Sequence, residues 1–193
     1  MPVREFWGVL YLVAPLLVGA VLSGVAIRYD VLPRLKRPID GGRRWRGRPL
    51  FGPNKTWRGV LTVSVGNILG IGLQSTVLHG VPALRAVELF DYGAVNGWLL
   101  GLLLGLLTAF AELPNSAFKR QSGIAAGGPG SGLSGAFFYV LDQVDVLPGF
   151  WLAYAVVMPV TPKLVLISFL ILFLGHQAVT LIGYALGMRR TLR

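Results

Sequence analysis

Cysteine is absent from the 193 residues, which excludes disulfides, iron–sulfur clusters and cysteine-built zinc sites. Charge is scarce, at 13% of residues against 54% hydrophobic, a composition unlike that of one or two soluble domains. There are only two histidines. The chain order puts His79 at an outer edge, far from the other titratable groups, and His176 alone in mid-span as a neutral, hydrogen-bonded packing residue. No acid–base dyad on histidine and no nucleophile–His–acid arrangement can be read from them. A P-loop is excluded as well. Gly47 and Gly52 stand before Lys55-Thr56, but Pro53-Asn54 separates the second glycine from the lysine, and no strand precedes it.

What is present is long apolar sequence. Phe6 to Ile27, Gly59 to Leu78, Tyr92 to Ala111 and Leu164 to Met188 contain no Lys, Arg, Asp or Glu. Each approaches or exceeds the roughly 20 residues that cross a hydrocarbon core. A fifth segment, Ser134 to Val160, is long enough and carries Asp142 and Asp145. The first run is too long for a signal-peptide core and lacks a small-residue cleavage site, so it is expected to stay. The expected fold is therefore an all-α, polytopic membrane protein in one integral-membrane domain, residues 1–193, with five transmembrane helices over 6–27, 59–78, 92–111, 134–160 and 164–188.

The +10 net charge does not call for nucleic acid. Ten of the eighteen Lys/Arg fall in one connection: Arg28, Arg34, Lys36, Arg37, Arg43, Arg44, Arg46, Arg48, Lys55 and Arg58. By the positive-inside rule this loop, 28–58, is cytoplasmic, and Arg189, Arg190 and Arg193 mark the C-terminal end as cytoplasmic too. Five spans with the N-terminus outside satisfy both marks, and they make the loop 113–133, with Lys119 and Arg120, cytoplasmic. The expected location is the cell membrane, multi-pass.

Within the spans, Pro15 is tolerated in a membrane helix. Asn67 and Gln74 share a helical face and suit inter-helix hydrogen bonding, and Gly97, Gly101 and Gly105 form a small-residue stripe for close packing. Gly127 to Gly132 reads as a flexible linker.

The chemistry gathers at the two basic loops. Asp142 and Asp145, three apart, share a face on a helix. An ionised Asp in a membrane helix costs roughly 2.5–3.5 kcal/mol, so the pair needs a partner. Pro148 is expected to bend the helix just after them, and Glu112 is a third acid at the same depth. Carboxylates near a water-accessible mouth suit a hard cation such as Mg²⁺; the competing account pairs them with arginines. Glu112, Ser116 and Lys119 lie on one helical face with Arg120 beside it, fit either to hold phosphate oxygens or to snorkel at a helix end. Asn54 is expected to cap the helix that follows, whose first turn would offer free N–H groups to a phosphate, with Lys55, Thr56 and Arg58 as further donors and Trp57 as an interfacial anchor. Carboxylates opposite many cations match a metal–polyphosphate substrate, and phosphoryl or nucleotidyl transfer needs mainly positioning and charge neutralisation.

Three stretches carry a resemblance. "RPIDGGRRWRGRPLFGPNKTWRG" (Arg37 to Gly59), "AELPNSAFKRQSGI" (Ala111 to Ile124) and "LDQVD" (Leu141 to Asp145) are similar, in order, to the signatures of CDP-archaeol synthases, membrane cytidylyltransferases related to CDP-diacylglycerol synthases. The resemblance covers about a fifth of the chain. It departs from the archaeal pattern at Ala111-Glu112, in place of Gly-Asp, and in a longer, Gly-rich Arg120 to Leu141 stretch similar to bacterial relatives. It implies that CTP and an isoprenoid- or acyl-glycerol phosphate give a CDP-lipid and pyrophosphate, with Mg²⁺. By that similarity Asp142 and Asp145 hold the metal, with Glu112 a further candidate. Lys55, Thr56, Ser116, Lys119 and Arg120 engage CTP or lipid phosphate, Lys119 counting with the two aspartates as catalytic, and Asp40, Arg43 and Arg44 order the first loop. The partners expected are CTP, a lipid phosphate in the bilayer and, in a homodimer, a second copy of the chain. Two rivals remain at this stage: a CDP-alcohol phosphotransferase, which normally shows a longer array of Asp, and a non-catalytic anionic-lipid binder using the same basic loop.

Overall fold

A computed structural model of the chain describes residues 2–128, 130 and 132–185. Arg189, Arg190 and Arg193, the end of the fifth expected span and part of the Gly127–Gly132 linker lie outside the described residues. The fold is mainly helical. Helix α1, Pro2–Arg28, carries Glu5 in its first turn and Arg28 in its last, both matched to the helix dipole. A hairpin of β1, Arg44–Trp45, and β2, Arg48–Pro49, follows, and then α2, Trp57–Thr76. The one-turn α3, Pro82–Arg85, leads to α4, Gly97–Gln121. The chain continues through α5, Gly132–Asp142, α6, Leu147–Tyr154, and α7, Pro162–Ala185.

Among the described residues, three helical segments are long and apolar enough to cross a membrane: Val3–Arg28, Trp57–Gly80 and Gly97–Gln121, with mean hydropathy 2.3, 1.4 and 1.6. They pack with backbones almost touching. A Cβ added at Gly66 would lie 2.4 Å from Gly19 Cα, and one at Gly105 would lie 2.4 Å from Ser64 Cα. Side chains there would push α1 and α4 off α2, so the glycine stripe at Gly97, Gly101 and Gly105 faces α2 as a packing surface. Helix α6 docks on α4 in the same way, where a Gly149 Cβ would lie 2.1 Å from the Leu107 carbonyl oxygen. Val9, Leu12, Ile71, Leu104, Phe150 and Tyr154 fill the core between these helices.

The fourth expected span is not one helix. It stops at Asp142, turns through Gln143–Val146, and resumes as α6. The turn is closed by Val144 N–H donating to Leu141 O (3.1 Å) and Leu147 N–H donating to Val144 O (2.9 Å). Pro148 does not bend a continuous helix. It stands in the first turn of α6, where its missing N–H costs no hydrogen bond.

Of the polar pair in α2, Gln74 does reach across, donating to the Tyr11 carbonyl at 2.7 Å. Asn67 instead donates back to Val63 O of its own helix at 2.9 Å. His176 is exposed and not a packing residue; its Nδ1 donates to the Gln143 carbonyl at 3.0 Å, which ties α7 to the turn.

The cap of α2 also differs from expectation. Thr56, in extended conformation, accepts the Gly59 N–H on its hydroxyl, while Asn54 lies exposed two residues upstream. The first turn is largely satisfied, since Trp57 N–H donates to Arg37 O and Val60 N–H to Thr56 O, both at 3.2 Å. It is therefore not an open anion cradle. Thr56→Val is expected to cost about 1 kcal/mol, seen as a fall of about 2–4 °C in the melting temperature of the detergent-purified protein.

Candidate active site

The first loop is built to bring Lys55 against α4. Arg46 and Gly47, both at positive φ, make the tight turn that joins β1 to β2. Asp40 is buried and accepts Gly42 N–H at 2.8 Å and Phe51 N–H at 2.9 Å, stapling the two ends of the hairpin. Arg44 closes the turn through the Gly47 carbonyl, with Nη2 at 2.6 Å. The hairpin then docks on the C-terminal turn of α4, where Arg48 donates to Gln121 O and Gln121 Nε2 donates to Pro49 O. Ile39 N–H donates to Lys55 O at 2.9 Å, fixing the return strand of the loop.

Lys55 consequently forms an ion pair with Glu112 of α4. One turn further along α4, Asn115 is 5% exposed and its Nδ2 donates to Asp142 Oδ1 (2.7 Å) and to Asp145 Oδ2 (2.8 Å). Lys119 Nζ contacts Asp142 Oδ2 at 2.6 Å. Asp145 lies within electrostatic reach of Glu112, Lys55 and Asp142. Ser116 and Arg120 are buried on the same stretch of α4, and Arg120 donates to the Ile124 carbonyl. Gly52, at φ 98°, passes over Arg120, and a Cβ there would lie 3.3 Å from its Nε. Three carboxylates and three cations thus meet where the first loop, α4 and the α5–α6 turn converge.

The two aspartates do not share a helical face. The helix ends at Asp142 and Asp145 sits in the turn, and one amide brings their oxygens together. Asn115 is the residue missed from the sequence. It falls three residues after Glu112 and four before Lys119, so the helical spacing that singled out Ser116 pointed equally to its neighbour.

Other expected residues lie elsewhere. Arg58 pairs with Asp30 at 2.9 Å, and Lys36 pairs with the same carboxylate. The Lys36 hydrogen bond, with that of Arg58, holds Asp30 below the usual carboxylate range. Asp40 and Arg44 are committed to the loop itself, and Arg43 is exposed. Asn54 faces the Gly-rich segment, its Nδ2 3.7 Å from where a Gly127 Cβ would stand.

Asp142 and Asp145 fit a hard divalent cation. Both are oxygen donors, and the Asn115 Oδ1 is buried without a hydrogen-bond partner beside them. Mg²⁺ is commonly held by one or two carboxylates plus substrate phosphates and waters. Glu112 is held apart by Lys55, and no three-acid group including it has ligand atoms within 4.8 Å among the described residues.

A family model for CarS-like CDP-archaeol synthase matches residues 9–192. A CDP-archaeol synthase of Methanococcoides burtonii is 30% identical over 163 residues, covering 80% of this chain and 89% of that protein. One from Halorubrum lacusprofundi is 34% identical over 160 residues, covering 79% and 82%. A solved structure of an intramembrane enzyme for archaeal membrane lipids biosynthesis superposes with a TM-score of 0.59 at 19% identity, covering 88% of this chain and 92% of that one, and shares the fold. The chain belongs to the CDP-archaeol synthase family.

Proposed function

We propose that this chain is the CTP-dependent cytidylyltransferase that its family membership describes, acting on an isoprenoid-glycerol phosphate held in the bilayer, with Asp142, Asp145 and Asn115 at the reacting centre. The observation that carries the reading is the pair of aspartates bound by one amide and flanked by two lysines. An oxygen of the lipid phosphate attacks the α-phosphorus of CTP, the bond to the bridging β-oxygen breaks, and pyrophosphate leaves. The nucleophile is already anionic, so no general base is needed, consistent with a centre built without histidine.

Lys55, Lys119 and Arg120 neutralise the phosphates, and Glu112 orients Lys55. Asn115 fixes the directions of both carboxylates. Asp142 and Asp145 would hold Mg²⁺, which would supply charge neutralisation and polarisation of phosphoryl oxygen. Five spans with the N-terminus outside, in the cell membrane, would put this centre at the cytoplasmic side, supported by the crowding of Lys/Arg into 28–58. The α5–α6 pair would complete the fourth span and α7 the fifth.

The purified protein with labelled CTP, Mg²⁺ and either an isoprenoid-glycerol phosphate or phosphatidic acid should release pyrophosphate and form CDP-lipid, faster with the isoprenoid substrate. No CDP-lipid from either would overturn the reading. In the same assay Lys55→Met is expected to raise KM for CTP about tenfold, close to the contribution of one charge-assisted hydrogen bond. An unchanged KM would remove Lys55 from the phosphate site.

A further inference from the structure

The end of the helix bundle away from Asp142 and Asp145 carries a second convergence of titratable groups, one that nucleotidyl transfer does not use. Helix α2 separates the two places, and its 20 residues span about 30 Å. Beyond it, His79 Nδ1 lies 2.9 Å from Glu88 Oε2, and His79 Nε2 lies 3.6 Å from Asp91 Oδ1. Among the described residues, these form the one group of three or more His, Cys, Asp or Glu whose ligand atoms lie within 4.8 Å of one another. An imidazole ligates one ion through one nitrogen, so closing that spread onto metal bonds of about 2.0–2.2 Å requires one ring nitrogen of His79 to turn toward both carboxylates.

The burial is graded as an ion site needs. The side chain of Glu88 is 5% exposed, that of His79 20% and that of Asp91 59%, so the group opens to solvent through Asp91. Two carboxylates face one imidazole, and no Lys or Arg pairs with either acid among the described residues. Arg4, which reaches this segment from α1, is spent on the backbone carbonyls of Ala86 and Glu88. A buried carboxylate in that balance is stabilised by a cation.

Two further observations point to the same place. Gly93 does not need to be glycine for its φ, yet a Cβ there would lie 2.9 Å from His79 Nε2 and 3.2 Å from Asp91 Oδ1. Asp91 Oδ1 accepts the Gly93 N–H at 2.9 Å, and the missing side chain leaves the space beside His79 Nε2 open. The hydroxyl of Tyr11 is buried without a hydrogen-bond partner and lies within electrostatic reach of Glu88.

We propose that His79, Glu88 and Asp91 bind a divalent transition-metal ion of the zinc class, clamping the end of α2 to the segment that leads into α4. One imidazole with two carboxylates is a borderline donor set, which favours Zn²⁺ over Mg²⁺. Three protein ligands leave a fourth position for water.

Tag-free, EDTA-stripped full-length protein in detergent should take up one Zn²⁺ per chain in a calorimetric titration run in excess Mg²⁺, and its melting temperature should rise on loading. Uptake should persist in Asp145→Asn. It should weaken by about 10–100-fold or more in His79→Ala and in Asp91→Asn, with CMP transfer by Asp91→Asn unchanged. Asp91 is the exposed ligand, so its variant tests the proposal even if His79→Ala fails to fold. No uptake by the unaltered protein, wild-type affinity in Asp91→Asn, or loss of uptake in Asp145→Asn would each overturn it.

Discussion

Asp142→Asn is expected to lower kcat for CMP transfer by about 10³-fold while the protein still inserts and elutes from detergent as a single species. The exchange keeps the shape of the side chain and removes its charge. The Asn115 hydrogen bond at 2.7 Å survives, because an amide oxygen accepts as a carboxylate does. What is lost is the anionic oxygen facing Lys119 at 2.6 Å, and with it one of the two carboxylates that fit a divalent cation. A factor of 10³ corresponds to about 4 kcal/mol, within the several kcal/mol that a metal ion contributes to transition-state charge stabilisation. Titrating Mg²⁺ separates the causes: a damaged metal site needs more Mg²⁺ for the same rate. Full turnover in Asp142→Asn would remove this aspartate from the chemistry.

Asn115→Ala is the second large loss expected, about 10–100-fold in kcat with KM for CTP nearly unchanged. Asn115 touches no substrate in this scheme. It holds Asp142 and Asp145 by two donated hydrogen bonds, and groups that orient metal-binding side chains commonly matter at that scale. Asn115→Asp distinguishes positioning from mere filling of space. It has the same shape, yet puts a third carboxylate 2.7–2.8 Å from the other two where a donor stood. Like charges at that distance repel strongly in a half-buried site. Its rate should therefore fall below that of Asn115→Ala. Equal rates for the two variants would mean that Asn115 serves packing alone.

The membrane helices were legible because length and absence of charge report them without regard to neighbours. The first and third uncharged runs fall within α1 and across most of α4, and the glycine stripe of α4 faces α2 as spacing alone suggests. The break at Gln143–Val146 was not legible. It contains neither glycine nor proline to mark a stop, and Pro148 drew attention to the wrong side of it. Asn54 and Thr56 are both good caps, and the pairing of Pro38 with Thr56 decides between them through contacts from a distant part of the chain. The site showed in its charged residues and not in Asn115, because a neutral amide leaves no mark in a charge pattern. The His79 cluster was hidden for a related reason. Its members lie nine and three residues apart in an irregular segment, where spacing implies no shared face.

Under the proposed five-span topology, the interruption between α5 and α6 has a consequence for how two unlike substrates would meet. A helix that stops partway through a bilayer leaves peptide groups that hydrocarbon cannot solvate, and such ends persist only against protein or where water penetrates. Here His176 of α7 takes up the Gln143 carbonyl, while Asp142 and Asp145 stand against Asn115 and Lys119 of α4. Such a break acts as a local thinning of the barrier. In the proposed reaction the nucleotide would descend toward the lipid, and the lipid phosphate would react without its chains being drawn out of the membrane.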